Sequence, residues 1–288
     1  LLLLGFKNKS EFPLKQSKTF FYKKQWVKNN FFFKTFIDIL WLILYSLIVF
    51  LPLFFILYLG FDFHVINLLK NHLVFKVILT SLILSLSSTI LTLIFSWIIA
   101  SARTKLLSKN DIDKKNSYNF KVWFLDIIII LYLALPAIVM GTGLFLLLRN
   151  FINFTYLPFL IVLLSNVLLC LPFTLNIIQS KMLALYLKHN KLCSLLGING
   201  LRRIKIIDLP SLRPELGFAA GLSACFSIGD LSVIALFGNQ NFQTIPWLLY
   251  QYMGSYQMKE AASMCLLLLF LCFIFFFGLS RLIGGKYA

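Results

Sequence analysis

"LCSLLGINGLRRIKIIDLPSLRPEL", residues 192–216, is the longest passage of mixed polarity between two strongly apolar segments. Working outward, the flanking runs at approximately 156–178 and 217–237 can each cross about 30 Å of hydrocarbon, which takes roughly 20 residues as helix. Four more such runs lie at 36–59, 73–100, 126–148 and 262–283. The 288 residues are 60% hydrophobic and 13% charged, with a mean hydropathy of +0.88, which exceeds what one soluble core can hide. The reading is an all-α, polytopic membrane protein with six transmembrane helices. A β-barrel is excluded because its strands alternate in polarity, and runs such as Ile127 to Leu133 and Leu266 to Phe277 do not.

The net charge of +17 is an orientation signal. If the helices alternate, the basic residues before Leu40, at 103–121, at 181–213 and at 281–286 fall on one side. Only Lys70, Lys76, Arg149 and Lys259 fall on the other. That is the positive-inside pattern and places both termini in the cytoplasm; it leaves no nucleic-acid footprint to explain. Cys170, Cys193, Cys225, Cys265 and Cys272 sit in or beside apolar spans without CxxC or Cys/His spacing, so they read as small packing residues. His64, His72 and His189 are scattered and lack HExxH, which removes a zinc enzyme from consideration and predicts no metal site.

The chain opens Leu1-Leu2-Leu3-Leu4-Gly5-Phe6, without an initiating Met, and continues as a Lys-rich stretch to Lys34. This is too short for a signal-peptide core and lacks the basic residues before it. It reads as the end of a preceding transmembrane helix plus linker, or as a ragged N-terminus. Residues 1–35 are thus taken as a cytoplasmic segment and 36–288 as the six-helix domain. An outer loop follows helix one, Gly60 to His72, with Asp62 and His64. Helix two carries Thr80, Ser81, Ser85, Ser87, Ser88, Thr89 and Thr92, small polar residues that let helices approach closely and bond across interfaces. Helix three is expected to break in its middle at "LPAIVMGTG", where Pro136 removes a donor and Gly141 and Gly143 remove bulk. Such backbone is tolerated in a membrane where it faces protein or a water-filled cavity, so the segment marks either a pathway or a packing kink.

Residues 181–216 hold seven Lys and Arg together with spaced apolar residues, among them Leu192, Leu195, Leu196, Ile204, Ile206, Ile207 and Leu209. Gly197 and Gly200 interrupt the helical period, which predicts two short amphipathic helices around a tight turn. Pro210 is expected to end the second, and Arg213-Pro214 to lead into helix five.

The stretch "KLCSLLGINGLRRIKIIDLP" resembles the EAA motif of type I ABC-importer permeases. Gly197, Ile207, Leu209 and Pro210 match at the motif's spacing and Cys193 stands as a small residue for the second Ala. Lys191 replaces the Glu and Leu192 the first Ala, so the acidic part is missing. The resemblance implies that 181–216 is a coupling region seated in a groove of an ABC ATPase subunit. Membrane lipid would surround the helices, and a periplasmic substrate-binding protein and a second permease half, fused or separate, would complete the machine. "SIGDLSVIALFGNQNFQTIPWLLYQYMGSYQMKEAA" (227–262) and "LPAIVMGTGLFLLL" (135–148) further resemble the C-terminal half of thiamine-type ABC permeases, over approximately 73–283. Ferric-iron permeases are near relatives, which leaves iron or another small solute as the alternative cargo. The family places the protein in the bacterial inner membrane.

No GxxxxGK[ST] loop is present, since Gly284-Gly285-Lys286 lacks the earlier glycine and the hydroxyl. ATP and Mg are therefore expected on the partner ATPase, with no cofactor and no catalysis on this chain. Asp230, next to Gly229, is the one acid deep in a span, roughly 21 Å above the start of helix five at about 1.5 Å per residue. It reads either as a negative group lining the path of a cationic cargo or as an interhelical acceptor near the outer interface. The stretch 242–257 has the Trp and Tyr density of an interfacial belt, and the family adds a landing surface for a binding protein. An ion-coupled secondary transporter would show more buried ionisable groups than Asp230 alone.

Overall fold

A computed structural model describes residues 31–60, 71–113, 122–124, 126–127, 134–151, 156–198, 200–240 and 242–285. The expectations for residues 1–30, for the outer loop with Asp62 and His64, and for 114–121 and 128–133 lie outside the described residues. The chain divides into two units, Leu1–Pro52 and Leu53–Ala288. In the first, helix α1 (Phe31–Gly60) begins; its apolar side chains from Phe36 to Phe50 are exposed, as lipid-facing side chains are.

The second unit carries α2 (His72–Asp113), α3 (Ala137–Leu148) and α4 (Leu157–Leu195), then the short α5 (Leu201–Arg203), a π-helical turn Ile204–Asp208 and α6 (Leu209–Ser211). It continues with α7 (Arg213–Gly229), α8 (Ile234–Phe237), α9 (Ile245–Gly254) and α10 (Met258–Gly284). Among the described residues, five segments are long and apolar enough to cross a membrane: Thr35–Gly60, His72–Leu107, Leu157–Asn190, Arg213–Phe237 and Met258–Gly284. The protein is a multi-pass, all-helical membrane protein. Within the sixth expected span, 126–148, the described residues include the 12-residue α3, and 128–133 lie outside them.

Two expectations are corrected. Helix three breaks at Leu135–Pro136, not through its glycines; Ala137–Leu148 is continuous across Gly141 and Gly143. Proline lacks the donor a helix interior needs and fits as the N-cap, where its carbonyl accepts from Val139 and Met140 N–H. The fifth span is not one helix over 217–237 either. It starts at Arg213, stops at Gly229 and resumes as α8.

Hydroxyls and glycines join the bundle alongside clusters of bulky apolar side chains. Ser81, Thr92 and Thr104 donate to carbonyls four residues back on α2, which satisfies each hydroxyl within its own helix. Others cross: Ser85 to the Ala224 carbonyl at 3.2 Å, Ser88 with Ser227 at 2.7 Å, Ser96 with Thr174 at 2.5 Å. The reading of these residues as packing groups therefore holds. Helices α7 and α10 touch backbone to backbone: a Cβ on Gly217 would lie 2.6 Å from the Ser280 carbonyl, and one on Gly221 2.7 Å from that of Phe276. Apolar clusters fill one end around Ile178, Leu212 and Leu216 and the other around Ile161, Val233 and Ile234.

Candidate functional site

The polar passage sits at the end of a rod. Helix α4 has 39 residues, about 58 Å, so some 19 residues extend past the roughly 20 that hydrocarbon requires. Lys191, Leu192 and Cys193 occupy its last turns, and the first of the two expected short helices is this end of α4. Gly197 closes the helix with φ +67°, and Ile198 N–H donates back to the Cys193 carbonyl at 2.9 Å. That 6→1 bond with a left-handed glycine is the Schellman termination, in which a side chain would be strained by the backbone alone. Nothing lies within 4 Å of a Cβ built on Gly197, so space is not the constraint. Gly200 (φ +62°) makes the second bend, and its carbonyl accepts from Ile204 N–H.

After the turn the backbone widens. Leu209 N–H bonds to the carbonyl of Ile204, five residues back, making one π turn directly before Pro210. A proline has no N–H to give and crowds the carbonyl four residues earlier, so the wider turn relieves both. Pro210 thus lies inside the segment and does not end it; the helix stops at Leu212, with φ −100° and ψ 2°. Cys193 is buried while Leu192, Leu195, Leu196, Ile206, Leu209 and Pro210 are exposed and Ile207 is half-buried. The outcome is a kinked apolar ridge projecting from the end of the bundle.

Arg203 pins that ridge to α4 and was not singled out by sequence. Its guanidinium lies 4.3 Å from the Tyr186 ring centroid, donates to Asn190 Oδ1 at 3.0 Å and pairs with Asp208 at 3.6 Å. Lys181 and Glu215 tie α4 to α7 at 3.3 Å. A run of Lys and Arg does not disclose which member turns inward, because Arg203 meets Asn190 and Tyr186 only once the chain after α4 has folded back onto it.

The second candidate area lies at the other end of α7. Asp230 follows the helix in extended conformation, and its Oδ1 accepts from Ser232 N–H at 2.9 Å and Ser232 Oγ at 2.6 Å. Its buried Oδ2 has no partner among the described residues. Beside it, Asn166 on α4 is 1% exposed and donates to Ser227 Oγ at 2.9 Å and to the Ser227 carbonyl in the last turn of α7. Asn166 was also missed, although an amide midway along an apolar run is a readable signal. Asp230 is therefore not within a continuous helix. It stands at the negative end of a helix dipole, where an anion is disfavoured and a cation gains.

Helix α3, which follows the break, meets this segment. A Cβ on Gly141 would fall 2.8 Å from Val233 Cγ1, and Phe145 stacks on Phe237 at 5.4 Å. Pro136 caps the same helix α3. Gly143 and Gly229 meet nothing within 4 Å and are exposed, so they do not join that contact. The stretch expected as an outer aromatic loop is instead mostly the helix α9. It buries Ile245, Pro246 and Leu248, stacks Trp247 on Tyr250 at 6.0 Å and exposes Tyr250 and Met253.

No family model matches the chain. It is similar to the thiamine transport system permease protein of Salmonella typhimurium, at 32% identity over 247 residues, 86% of this chain and 45% of that protein. The protein of the same name from Escherichia coli is 40% identical over 154 residues (54% and 29%), and that from Haemophilus influenzae 42% over 146 residues (50% and 27%). The matches span less than half the length of these relatives.

Proposed function

The chain is a homologue of the thiamine transport system permease proteins, and from that we propose that it is the membrane-spanning permease half of an ATP-driven importer for thiamine. The observation that carries the reading is the ridge at 192–211: exposed apolar side chains on a segment stiffened by Arg203 and closed by Gly197 suit a groove on a separate ATPase. ATP and Mg belong to that ATPase, and this chain conducts. A substrate-binding protein delivers cargo on the opposite side, where α9 exposes Tyr250 and Met253, and a second permease half completes the pathway. The positive-inside pattern puts the ridge and both termini in the cytoplasm of a bacterium, with the helices in its inner membrane.

Helix α7 supplies the mechanics. Its 17 residues span about 26 Å, with the coupling segment at one end and the Asp230 break at the other. The glycine contact with α10 makes the pair a stiff body, so a displacement of the ridge arrives at the break as a displacement. There Asp230, with one oxygen unpartnered and a helix dipole behind it, favours a cation such as the thiazolium of thiamine.

The test is uptake of labelled thiamine by cells lacking their own thiamine permease, supplied with this chain, its completing half, ATPase and binding protein. Uptake should require ATP hydrolysis. In Asp230→Asn, which keeps the acceptor for Ser232 while removing the charge, it should fall about tenfold or more, the worth of roughly 1.4 kcal/mol. Thiamine uptake absent from well-inserted wild type, or collapsed by an ionophore with ATP intact, refutes the importer reading. Unchanged uptake in Asp230→Asn leaves that residue as a hydrogen-bond acceptor for Ser232.

A further inference from the structure

A cavity of about 420 Å³ opens at the start of α2, apart from the ridge and the Asp230 break. Asn71, just before α2, lines it with His72, Lys76 and Thr80 on α2, and Gln240 and Gln243 line it from the chain between α8 and α9. Its wall is tied across 163 residues of sequence by the Thr80 hydroxyl, which donates to the Gln243 carbonyl at 2.5 Å. Asn71 is fixed too, its Oδ1 accepting from Leu73 N–H at 3.2 Å. No acid is among the lining residues, and Lys76 has no ion-pair or hydrogen-bond partner among the described residues. Lys76 is also one of only four basic residues on the side of the chain that positive-inside pairing leaves poor in cations.

We infer that this cavity is a binding site for a phosphate group carried on a small organic moiety. The Lys76 ammonium faces a polar space with no acid among the described lining residues, and can serve as a point charge for an anion. The surrounding donors, two Gln amides, the Asn71 amide and the His72 ring, outnumber the two oxygens of a carboxylate and suit the several oxygens of a phosphate. The volume falls in the range of small-molecule sites, so a phosphate with a glycerol-sized substituent fits where a bare ion would leave most of the space empty. The cavity lies at the start of the candidate span His72–Leu107. Both a phospholipid headgroup and a soluble phosphate ester present this chemistry.

The experiment uses the assembled transporter purified in uncharged maltoside detergent. Its unfolding temperature is followed while glycerol 3-phosphate, phosphatidylglycerol or plain glycerol is titrated in. A saturable rise with a phosphate compound and none with glycerol is expected. Lys76→Gln should weaken the apparent affinity about tenfold or more, as loss of a charge-assisted contact does, and Lys76→Arg should largely retain it. Gln240→Ala, an exposed truncation, gives a second weakened variant. A rise with phosphatidylglycerol alone identifies lipid as the occupant; a rise with both means that soluble esters enter too. No saturable rise with either, or equal affinity in Lys76→Gln and wild type, overturns the site.

Discussion

Gly197 shows how much a single residue discloses. Its role in ending α4 follows from backbone chemistry that sequence displays, a glycine after a long helical period. That it faces open space does not. With φ +67° and no atom within 4 Å of a built Cβ, only backbone strain opposes a side chain, about 1–2 kcal/mol for an L-residue in the left-handed region. Gly197→Asn, which tolerates that region, should keep cargo-stimulated ATP hydrolysis near wild type, while Gly197→Val should loosen the ridge and reduce it several-fold with insertion unchanged. Equal stimulation in both variants would remove the turn from the coupling path. Asp230 marks the opposite limit. Its residue type was legible, but its place at a helix end was not, and the segment after the break packs Val233 and Phe237 against Gly141 and Phe145 on α3.

Among the elements, α7 and α10 are held by contact so close that only glycine permits it. A Cβ on Gly221 would stand 2.7 Å from the Phe276 carbonyl and 2.8 Å from Ser280 Oγ, whereas one on Gly278, also on α10, would meet nothing within 4 Å. Gly221→Leu should force the helices apart and lower stability by about 1–3 kcal/mol, read as unfolding temperature in detergent. Gly278→Ala should be neutral or slightly stabilising, since alanine is the better helix former. If both variants unfold alike, the close crossing is wrong. In the sequence the glycines of α7 stand four apart, a spacing that permits such a seam without naming its partner. The same limit hid Arg203, whose three contacts come from one helix, α4, and from the π turn beside it.

At the scale of the whole molecule, the charge pattern makes a prediction that the helices make concrete. A reporter enzyme active only outside the cytoplasm should be silent when inserted after Leu196 and active when inserted after Gly254. The reverse result would invert the topology and separate the ridge from any cytoplasmic ATPase. The apolar runs and the glycine turn were determined by the sequence alone, because hydropathy and left-handed backbone are properties of a residue and its near neighbours. Only the tertiary structure decided where α7 stops, that Asn166 reaches the last turn of α7 across 61 residues, and that Arg203 clamps the ridge. It also decided that Lys76 faces a cavity shared with Gln243. Each of those depends on which helix face meets which, and in lipid, where lipid-facing and partner-facing sides are both largely apolar, no hydrophobic stripe announces that choice.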